Sequence, residues 1–359
     1  MGFQMSKEVQ GVGVTNSSDP SSIPAPSNNF NRMITWRYTT YYDEYCTDGN
    51  TIPGEVKVGV AIWYLAEYFF FTALYIPALI VIYRSKLYKY ACYKIMFVIG
   101  ICDCNMGFIH GFLSGIYSLI GASYCSHNTL LILTGHCSHF IWGFYCTSAV
   151  LLALNRCIDM HSREVADRLF SGNRVWLWFI PILLYSIFFS SDYDVPGIYN
   201  SVVAASAFQI DFRPGAPPVM DWICFYNSCF VLSSLIILYS ILLFRMARNS
   251  SKHDSIRSMQ RKVLLQSFVI CCSVFLVAAT YGSASFIRIP LELAKCTTIS
   301  VQICAGSTAI MYITMNKTIR RGVLDLIGIG HLTYRKSQVT ALSTDMSPQI
   351  MIDGNLATP

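Results

Sequence analysis

The chain has 359 residues, of which 53% are hydrophobic and 13% are charged, and its formal net charge is +6. Soluble domains usually carry about 25% charged residues, so one soluble core could not hide this much apolar surface, and lipid is the expected solvent. The lysines and arginines fall in short groups between apolar runs, which predicts a membrane protein and argues against a nucleic-acid partner.

Residues 1–57 are expected to form an extracellular tail that is largely disordered. The segment MGFQMSKEVQGVGVTNSSDPSSIPAPSNNF is rich in Ser, Pro and Asn and shows no apolar run typical of a signal peptide. Asn16 begins the sequence Asn-Ser-Ser, which makes it a glycosylation candidate on an exterior tail.

Seven apolar runs follow, and a helix needs about 20 such residues to cross the hydrocarbon core of a bilayer. In chain order, they are residues 58–83, 93–119, 131–155, 175–191, 219–244, 263–286 and 295–315. We number these runs spans 1 to 7. The segment PGIYNSVVAASAF (196–208) is also apolar, but it is short and starts with Pro-Gly, so we interpret it as part of the loop between spans 4 and 5.

The positive charges predict the direction of the chain through the membrane. The loops after spans 1, 3 and 5 and the C-terminal tail hold 19 of the 26 lysines and arginines, so these parts are expected to be cytoplasmic and the N-terminus outside. The predicted fold is an all-α membrane protein, a seven-transmembrane helix bundle over residues 58–315 followed by a cytoplasmic segment, 316–359. This is the plan of G-protein-coupled receptors.

Several polar side chains lie inside the predicted spans, where an ionisable group is costly and is by default a functional candidate. Glu67 and Asp103 each lie about ten residues into a span, which places them about 15 Å deep. Ser138, His139 and Trp142 share one face of span 3 in its outer half. A cavity between helices that is mostly apolar with a few polar groups is the expected ligand site.

A metal site and a bound cofactor are not expected. His136 and His139 are one helical turn apart, which is a spacing that suits zinc, but the sequence offers no third or fourth ligand beside them. A retinal receptor needs a lysine in the middle of span 7, and the corresponding residue is Gln302, which we instead include among the ligand-pocket candidates. No pattern of catalytic residues points to an enzyme.

The 14 cysteines lie mostly within spans, where cysteine is usually a small apolar filler. Three are expected outside, namely Cys46, Cys125 and Cys296. The exterior is oxidising, and the loop between spans 4 and 5 has no cysteine. A Cys46–Cys125 disulfide is the preferred prediction, and a Cys125–Cys296 disulfide or no disulfide remain as alternatives.

Three motifs resemble those of rhodopsin-like receptors. CYKIMFVIGICDC is similar to the second helix of that class, with Asp103 at the position of its buried, sodium-linked aspartate. LALNRC is similar to the acidic-Arg-Tyr motif, with Arg156 as the invariant arginine and Asn155 in place of the acid. TAIMYITMNKTIRRGV is similar to the end of the seventh helix, with Tyr312 as the tyrosine of Asn-Pro-x-x-Tyr, and implies a short amphipathic helix 8.

Departures from that class change the expected chemistry. Thr308 and Ala309 replace Asn-Pro, and Tyr145 lies where the sodium pocket has a serine, so sodium binding by Asp103 is not expected. Asn155 cannot form the usual ion pair with Arg156. Asp159 lies one turn further along the helix, and it is the nearest acid that could pair with Arg156 in a resting state.

A narrower resemblance covers about residues 40–325. The motifs YDEYC, CYKIMF…GICD, ALNRCIDM and RLFSGNRVWLW resemble, in order and spacing, the nematode serpentine chemosensory receptors of class T. That resemblance implies a multi-pass receptor in the plasma membrane, on the cilia of sensory neurons, that detects an external small molecule and signals through a heterotrimeric G protein. The alternative function is a seven-helix transporter or channel.

On this interpretation, Asp103, Asn155, Arg156 and Tyr312 form an activation switch. Basic residues at the inner ends of spans 5 and 6 are the expected contacts of the G protein: Arg245, Arg248, Arg261 and Lys262. The serines and threonines of the C-terminal tail could be phosphorylated, which would offer a site for a kinase or an arrestin. The lipid bilayer is the remaining expected partner.

Overall fold

The computed structural model describes residues 53–191, 197–207, 222–248, 268–269, 272–280 and 291–328, without the side chains of residues 128, 246–248 and 291–294. Six helices in these ranges are long and apolar enough to cross a membrane: Val58–Arg84, Ala91–Leu119, Thr129–His161, Arg174–Ser191, Trp222–Arg245 and Lys295–Met315. They correspond to predicted spans 1 to 5 and 7. Predicted span 6 is described over residues 268–269 and 272–280, which are helical.

Several spans contain local interruptions that the apolar pattern does not reveal. Span 2 consists of an α-helix at Ala91–Gly107, a π-helical turn at Phe108–Leu113 and a further α-helical segment at Ser114–Leu119. Span 4 is divided into Arg174–Leu177 and Phe179–Ser191. Pro77 lies inside span 1, which remains helical throughout Val58–Arg84.

The remaining helices have their own bounds. Span 3 belongs to a helix over Tyr124–His161, with a non-helical backbone at His127. The helix of span 5 extends over Trp222–Arg248, and that of span 7 over Leu291–Met315. Short helical segments lie between the spans: a 3-10 turn at Lys86–Lys89 and an α-helix at Arg163–Phe170.

Burial divides each span into an inner and an outer face. The inner faces meet in a core that includes Tyr75, Tyr145 and Tyr312, each with no more than 2% of its surface exposed. The outward faces carry large apolar side chains such as Trp63 and Phe70, which are more than half exposed. Exposure of such a surface to water would be unfavourable. In lipid the apolar side chains can remain exposed, and only the backbone N–H and C=O groups must form hydrogen bonds within the protein.

The segment between spans 4 and 5 forms a short hairpin over the bundle. Strands β1 (Ile198–Asn200) and β2 (Ala205–Ala207) pair antiparallel, with Tyr199 opposite Ser206. This confirms that residues 196–208 do not contain an additional span, as far as the described part, 197–207, extends. The hairpin is buried: Ile198 and Tyr199 are each 3% exposed.

Hydrogen bonds attach the hairpin to the outer ends of spans 1 and 2. Tyr64 Oη donates to the carbonyl of Ala204 at 2.6 Å, and the hydroxyls of Tyr199 and Ser118 lie 2.5 Å apart. The amide of Ser201 donates to the carbonyl of Ala122 at 3.0 Å. These hydrogen bonds therefore hold the hairpin across the extracellular end of the bundle, which it covers.

An eighth helix, Lys317–Leu326, follows span 7, as the resemblance implied. Asn316 caps it by accepting hydrogen bonds from the amides of Thr318 and Ile319 at 3.1 and 3.2 Å. Ile319 and Val323 are buried against the bundle, while Arg320 and Arg321 are exposed. This division makes the helix amphipathic, which suits a position at the cytoplasmic membrane surface.

The cysteines exclude two of the three alternatives. Cys125 is disulfide-bonded, which excludes the alternative of no disulfide, and Cys296 is a free thiol, which excludes the Cys125–Cys296 pairing. The other cysteines of the described ranges are free as well. Cys46, the preferred partner, lies outside the described residues, and so does the glycosylation candidate Asn16, so both stay predictions.

Candidate functional site

A cavity lies beneath the hairpin, among spans 2, 3, 5, 6 and 7. Three of the predicted pocket residues line it together, namely Ser138, His139 and Trp142. Gly197 and Ser206, at the two ends of the hairpin, close it from above. Most of its wall is apolar, and the described residues that complete it are Met106, His110, Cys224, Val277 and Val301.

His110 is the residue in this cavity that the sequence analysis missed. It lies in the π-helical turn of span 2, and its Nε2 is 2.9 Å from Ser138 Oγ. A π turn adds a residue to the helix and redirects the side chains it carries, and such turns often occur at functional sites. The signal in the sequence is a histidine inside an apolar span, which is itself a functional hint.

His136 and His139 point to different surroundings, although they are one turn apart. His139 is buried in the cavity, where its Nδ1 donates to the carbonyl of Gly135 at 2.8 Å. His136 instead lines a groove on the outside of the bundle between spans 2, 3 and 4, with Nδ1 2.9 Å from the carbonyl of Ser190. The two rings therefore do not face a common ligand.

The other two pocket candidates, Glu67 and Gln302, line a second cavity between spans 1, 2 and 7. Glu67 Oε2 and Gln302 Oε1 are buried there without a hydrogen-bond partner among the described residues. Gln302 Nε2 donates to the main-chain carbonyl of His110 at 2.5 Å. The predicted pocket is thus two cavities, which meet at His110 and Gln302.

Asp103 forms the inner end of this second cavity and is 2% exposed. Its Oδ2 accepts a hydrogen bond from Tyr75 Oη of span 1, and Tyr145 and Thr308 lie beside it. The residues that replace the usual partners of this class therefore surround the aspartate. The Tyr75 hydroxyl thereby pairs with one oxygen of the buried carboxyl.

Tyr312 connects Asp103 to the cytoplasmic half of the bundle. Its ring packs edge-on against Tyr75 with centroids 6.1 Å apart, and its hydroxyl donates to the carbonyl of Met96 at 3.2 Å. One turn below, Asn316 Nδ2 donates to Tyr93 Oη at 2.9 Å. Spans 1, 2 and 7 are thus joined through aromatic hydroxyls from the second cavity to helix 8.

Arg156 lies at the inner end of span 3, where its Nη1 is 3.6 Å from Asp159 Oδ2. The predicted local pairing is therefore present. The Arg156 side chain is 16% exposed and its Nε has no hydrogen-bond partner among the described residues, while Asp159 is 45% exposed. Asn155 is buried beside it with 4% exposure.

The predicted G-protein contacts are only partly described. Arg245 is half-buried at the inner end of span 5, and Arg248 is the last residue of that helix. Arg261 and Lys262 lie outside the described residues. That these four side chains line one surface remains a prediction.

Comparison with known proteins agrees with this architecture. Residues 32–336 match the family described as serpentine type 7TM GPCR chemoreceptor Srt. The chain is 25% identical over 320 residues to serpentine receptor class T-55 of Caenorhabditis elegans, which is 86% of each chain. The crystal structure of squid rhodopsin matches with a TM-score of 0.58 at 12% identity, over 78% of this chain and 87% of that one.

The rhodopsin comparison bears on the fold alone, and it confirms the predicted all-α seven-transmembrane bundle. The family match covers most of the chain, including the candidate cavities and the Arg156 region. The chain therefore belongs to the Srt family of serpentine seven-transmembrane chemoreceptors, and it is a multi-pass membrane receptor.

Proposed function

We propose that this receptor detects an external small molecule in the cavity beneath the hairpin and signals through a heterotrimeric G protein. The observation that carries the proposal is the roofed cavity itself, in which Ser138, His139 and Trp142 meet at the extracellular end of the bundle. An apolar cavity with a few polar groups, located between helices, has the form of a small-molecule site.

A ligand in this cavity acts by binding one arrangement of the helices more tightly than another, which shifts their populations. The path from the cavity to the cytoplasmic side is supported by contacts: Ser138 with His110, His110 with Gln302, and Asp103 with Tyr75. At the inner end, the Arg156–Asp159 ion pair holds the resting state. Movement of spans 5 and 6 then opens a G-protein surface flanked by Arg245, Arg248, Arg261 and Lys262.

The cellular setting follows from the same role. The receptor acts in the plasma membrane of sensory cilia, where the end of the bundle that carries the hairpin faces the exterior. The tail beyond Gly328 carries the serines and threonines on which a kinase acts and to which an arrestin binds.

The test is expression of the receptor in cells with a set of G proteins, followed by screening of volatile and water-soluble compounds. A ligand that elicits a G-protein response is expected to lose it in the Arg156→Ala variant and to keep it in Arg168→Ala, since Arg168 is exposed and pairs only with Glu164 among the described residues. An intact response in Arg156→Ala would contradict the switch. Ligand-gated ion current from the purified protein in liposomes would favour a channel instead.

A further inference from the structure

The cavity beneath the hairpin shows a feature that bears on the kind of ligand it accepts. Among the described residues that line it, none is an acid, a lysine or an arginine. Against this lining, a charged ligand would leave water without a permanent counter-charge, which is unfavourable in a low-dielectric site. An uncharged ligand has no such cost and gains from burial against Met106, Trp142, Val277 and Val301.

His110 offers such a ligand a polar group in the cavity wall. Its side chain is 3% exposed and lines the cavity, and Nε2 is already engaged with Ser138 Oγ at 2.9 Å. The other ring nitrogen, Nδ1, is buried and has no hydrogen-bond partner among the described residues. A buried polar atom left unpaired costs about 1–3 kcal/mol, so a ligand that pairs with it is favoured over one that does not.

The chemistry of this nitrogen limits the ligand further. The Ser138 hydroxyl can either donate to Nε2 or accept from it, so His110 Nδ1 can accept in one tautomer and donate in the other. A hydroxyl group on the ligand matches both tautomers, and a carbonyl matches the one in which Nδ1 donates.

We infer that His110 is the specificity-determining residue of this cavity and that the ligand is a small, uncharged, mainly apolar molecule with one oxygen-containing group, an alcohol or a carbonyl compound. This inference rests on the proposed function in one respect, that the roofed cavity is the ligand site. It adds the residue that selects the ligand and the chemical class that it selects.

Binding at His110 also has a route to the rest of the bundle. The main-chain carbonyl of His110 accepts the hydrogen bond from Gln302 Nε2 of span 7 at 2.5 Å. The residue lies in the π turn, Phe108–Leu113, where span 2 departs from regular α-helical geometry. A ligand that draws the imidazole toward itself therefore acts on a contact between spans 2 and 7.

The experiment measures ligand-induced thermal stabilisation of the purified receptor in lipid nanodiscs, since a ligand that binds the folded state raises Tm. The probes are built on three hydrocarbon skeletons: octyl, cyclohexylmethyl and benzyl. Each skeleton is tested as the alcohol, the aldehyde, the ammonium and the carboxylate, and also as the parent hydrocarbon. Alcohols or aldehydes of at least one skeleton are expected to raise Tm, and the charged compounds of the same skeleton are not. A shift with the charged members, or with no member of the set, overturns the inference.

Three variants test the role of His110. His110→Phe is expected to weaken the apparent affinity for the active alcohol by about tenfold and to remove the preference for the alcohol over the hydrocarbon. His110→Gln, which retains a donor and an acceptor, should restore part of that preference, which a purely structural role would not predict. His136→Phe is the matched control, because His136 lines the outer groove and not this cavity.

The outcomes separate this inference from the proposed signalling function. An unchanged alcohol preference in both folded His110 variants contradicts it, whatever the G-protein assay shows. Because thermal stabilisation does not involve a G protein, selective binding without signalling would contradict the proposed function and leave the inference intact. If His110→Phe does not fold, the comparison of His110→Gln with the native receptor decides the question.

Discussion

Replacement of Asp159 by asparagine is expected to raise the signalling of the receptor in the absence of ligand. The substitution keeps the size of the side chain and removes the negative charge that lies 3.6 Å from Arg156 Nη1. If this ion pair belongs to the resting arrangement and is lost when span 3 engages a G protein, its removal shifts the equilibrium toward the active arrangement.

The magnitude follows from the distance and the exposure of the two groups. At 3.6 Å, two unit charges attract by about 1 kcal/mol in the dielectric of water, and by more where solvent is excluded. Asp159 is 45% exposed, so screening reduces the benefit, and measured exposed pairs contribute about 0.2–1 kcal/mol. A loss of about 0.5–1 kcal/mol raises the active population, and with it basal signalling, by about two- to fivefold.

The assay is basal G-protein activation in cells, normalised to the amount of receptor at the surface. Glu164→Gln provides the matched control, since Glu164 pairs with Arg168 at 2.6 Å in the helix after span 3, and both side chains are about three-quarters exposed. The control should leave basal signalling unchanged. Equal basal signalling in the native receptor and in Asp159→Asn, with ligand responses preserved in both, would show that this pair does not hold the resting state.

Three further expectations concern the stability of the bundle. Tyr75→Phe removes the hydroxyl that donates to Asp103 and should lower the free energy of unfolding by about 1–3 kcal/mol, measured by thermal unfolding in micelles. Gly143→Ala would place a Cβ 2.8 Å from Phe189 Cδ1, so the Phe189 side chain or the spacing of spans 3 and 4 must shift, with a similar loss of about 1–3 kcal/mol by the same measurement; an unchanged Tm would contradict the close contact. Burial raises the pKa of Tyr199 from 10.0 to about 12, so the tyrosine of the unfolded chain ionises at a lower pH than that of the folded chain. The difference in stability between the native receptor and Tyr199→Phe should therefore be constant below pH 10 and decline from there to about pH 12. A decline that begins at neutral pH would refute this.

The number of spans and their direction could be predicted from the sequence because each depends on a local property. A span needs only enough consecutive apolar residues, and its direction depends on the lysines and arginines of adjacent loops. The Arg156–Asp159 pair is local as well, since residues three apart on a helix share a face. The same holds for helix 8, in which Ile319 and Val323 recur at helical spacing.

The arrangement of the candidate pocket could not be predicted from local properties of the sequence. Glu67 and Gln302 were expected in the same site as Ser138, but they line a separate cavity, because their positions depend on how spans 1, 2 and 7 pack. The sequence also does not indicate that Tyr75, Tyr145 and Thr308 surround Asp103 from three other spans.

The sequence by itself thus determined that the chain crosses the membrane and where the six described spans lie, and it predicts which end faces the cell exterior. Only the tertiary structure decided that His110 faces the cavity. The π turn in span 2 changes the direction of the side chains it carries, and the apolar composition of the span does not reveal such a turn. It also decided that residues 198–207 close the cavity as a hairpin, since that depends on hydrogen bonds to Tyr64 and Ser118, which are distant in sequence. In lipid, apolarity alone specifies a span, while the contacts between spans come from shape and from a few polar groups.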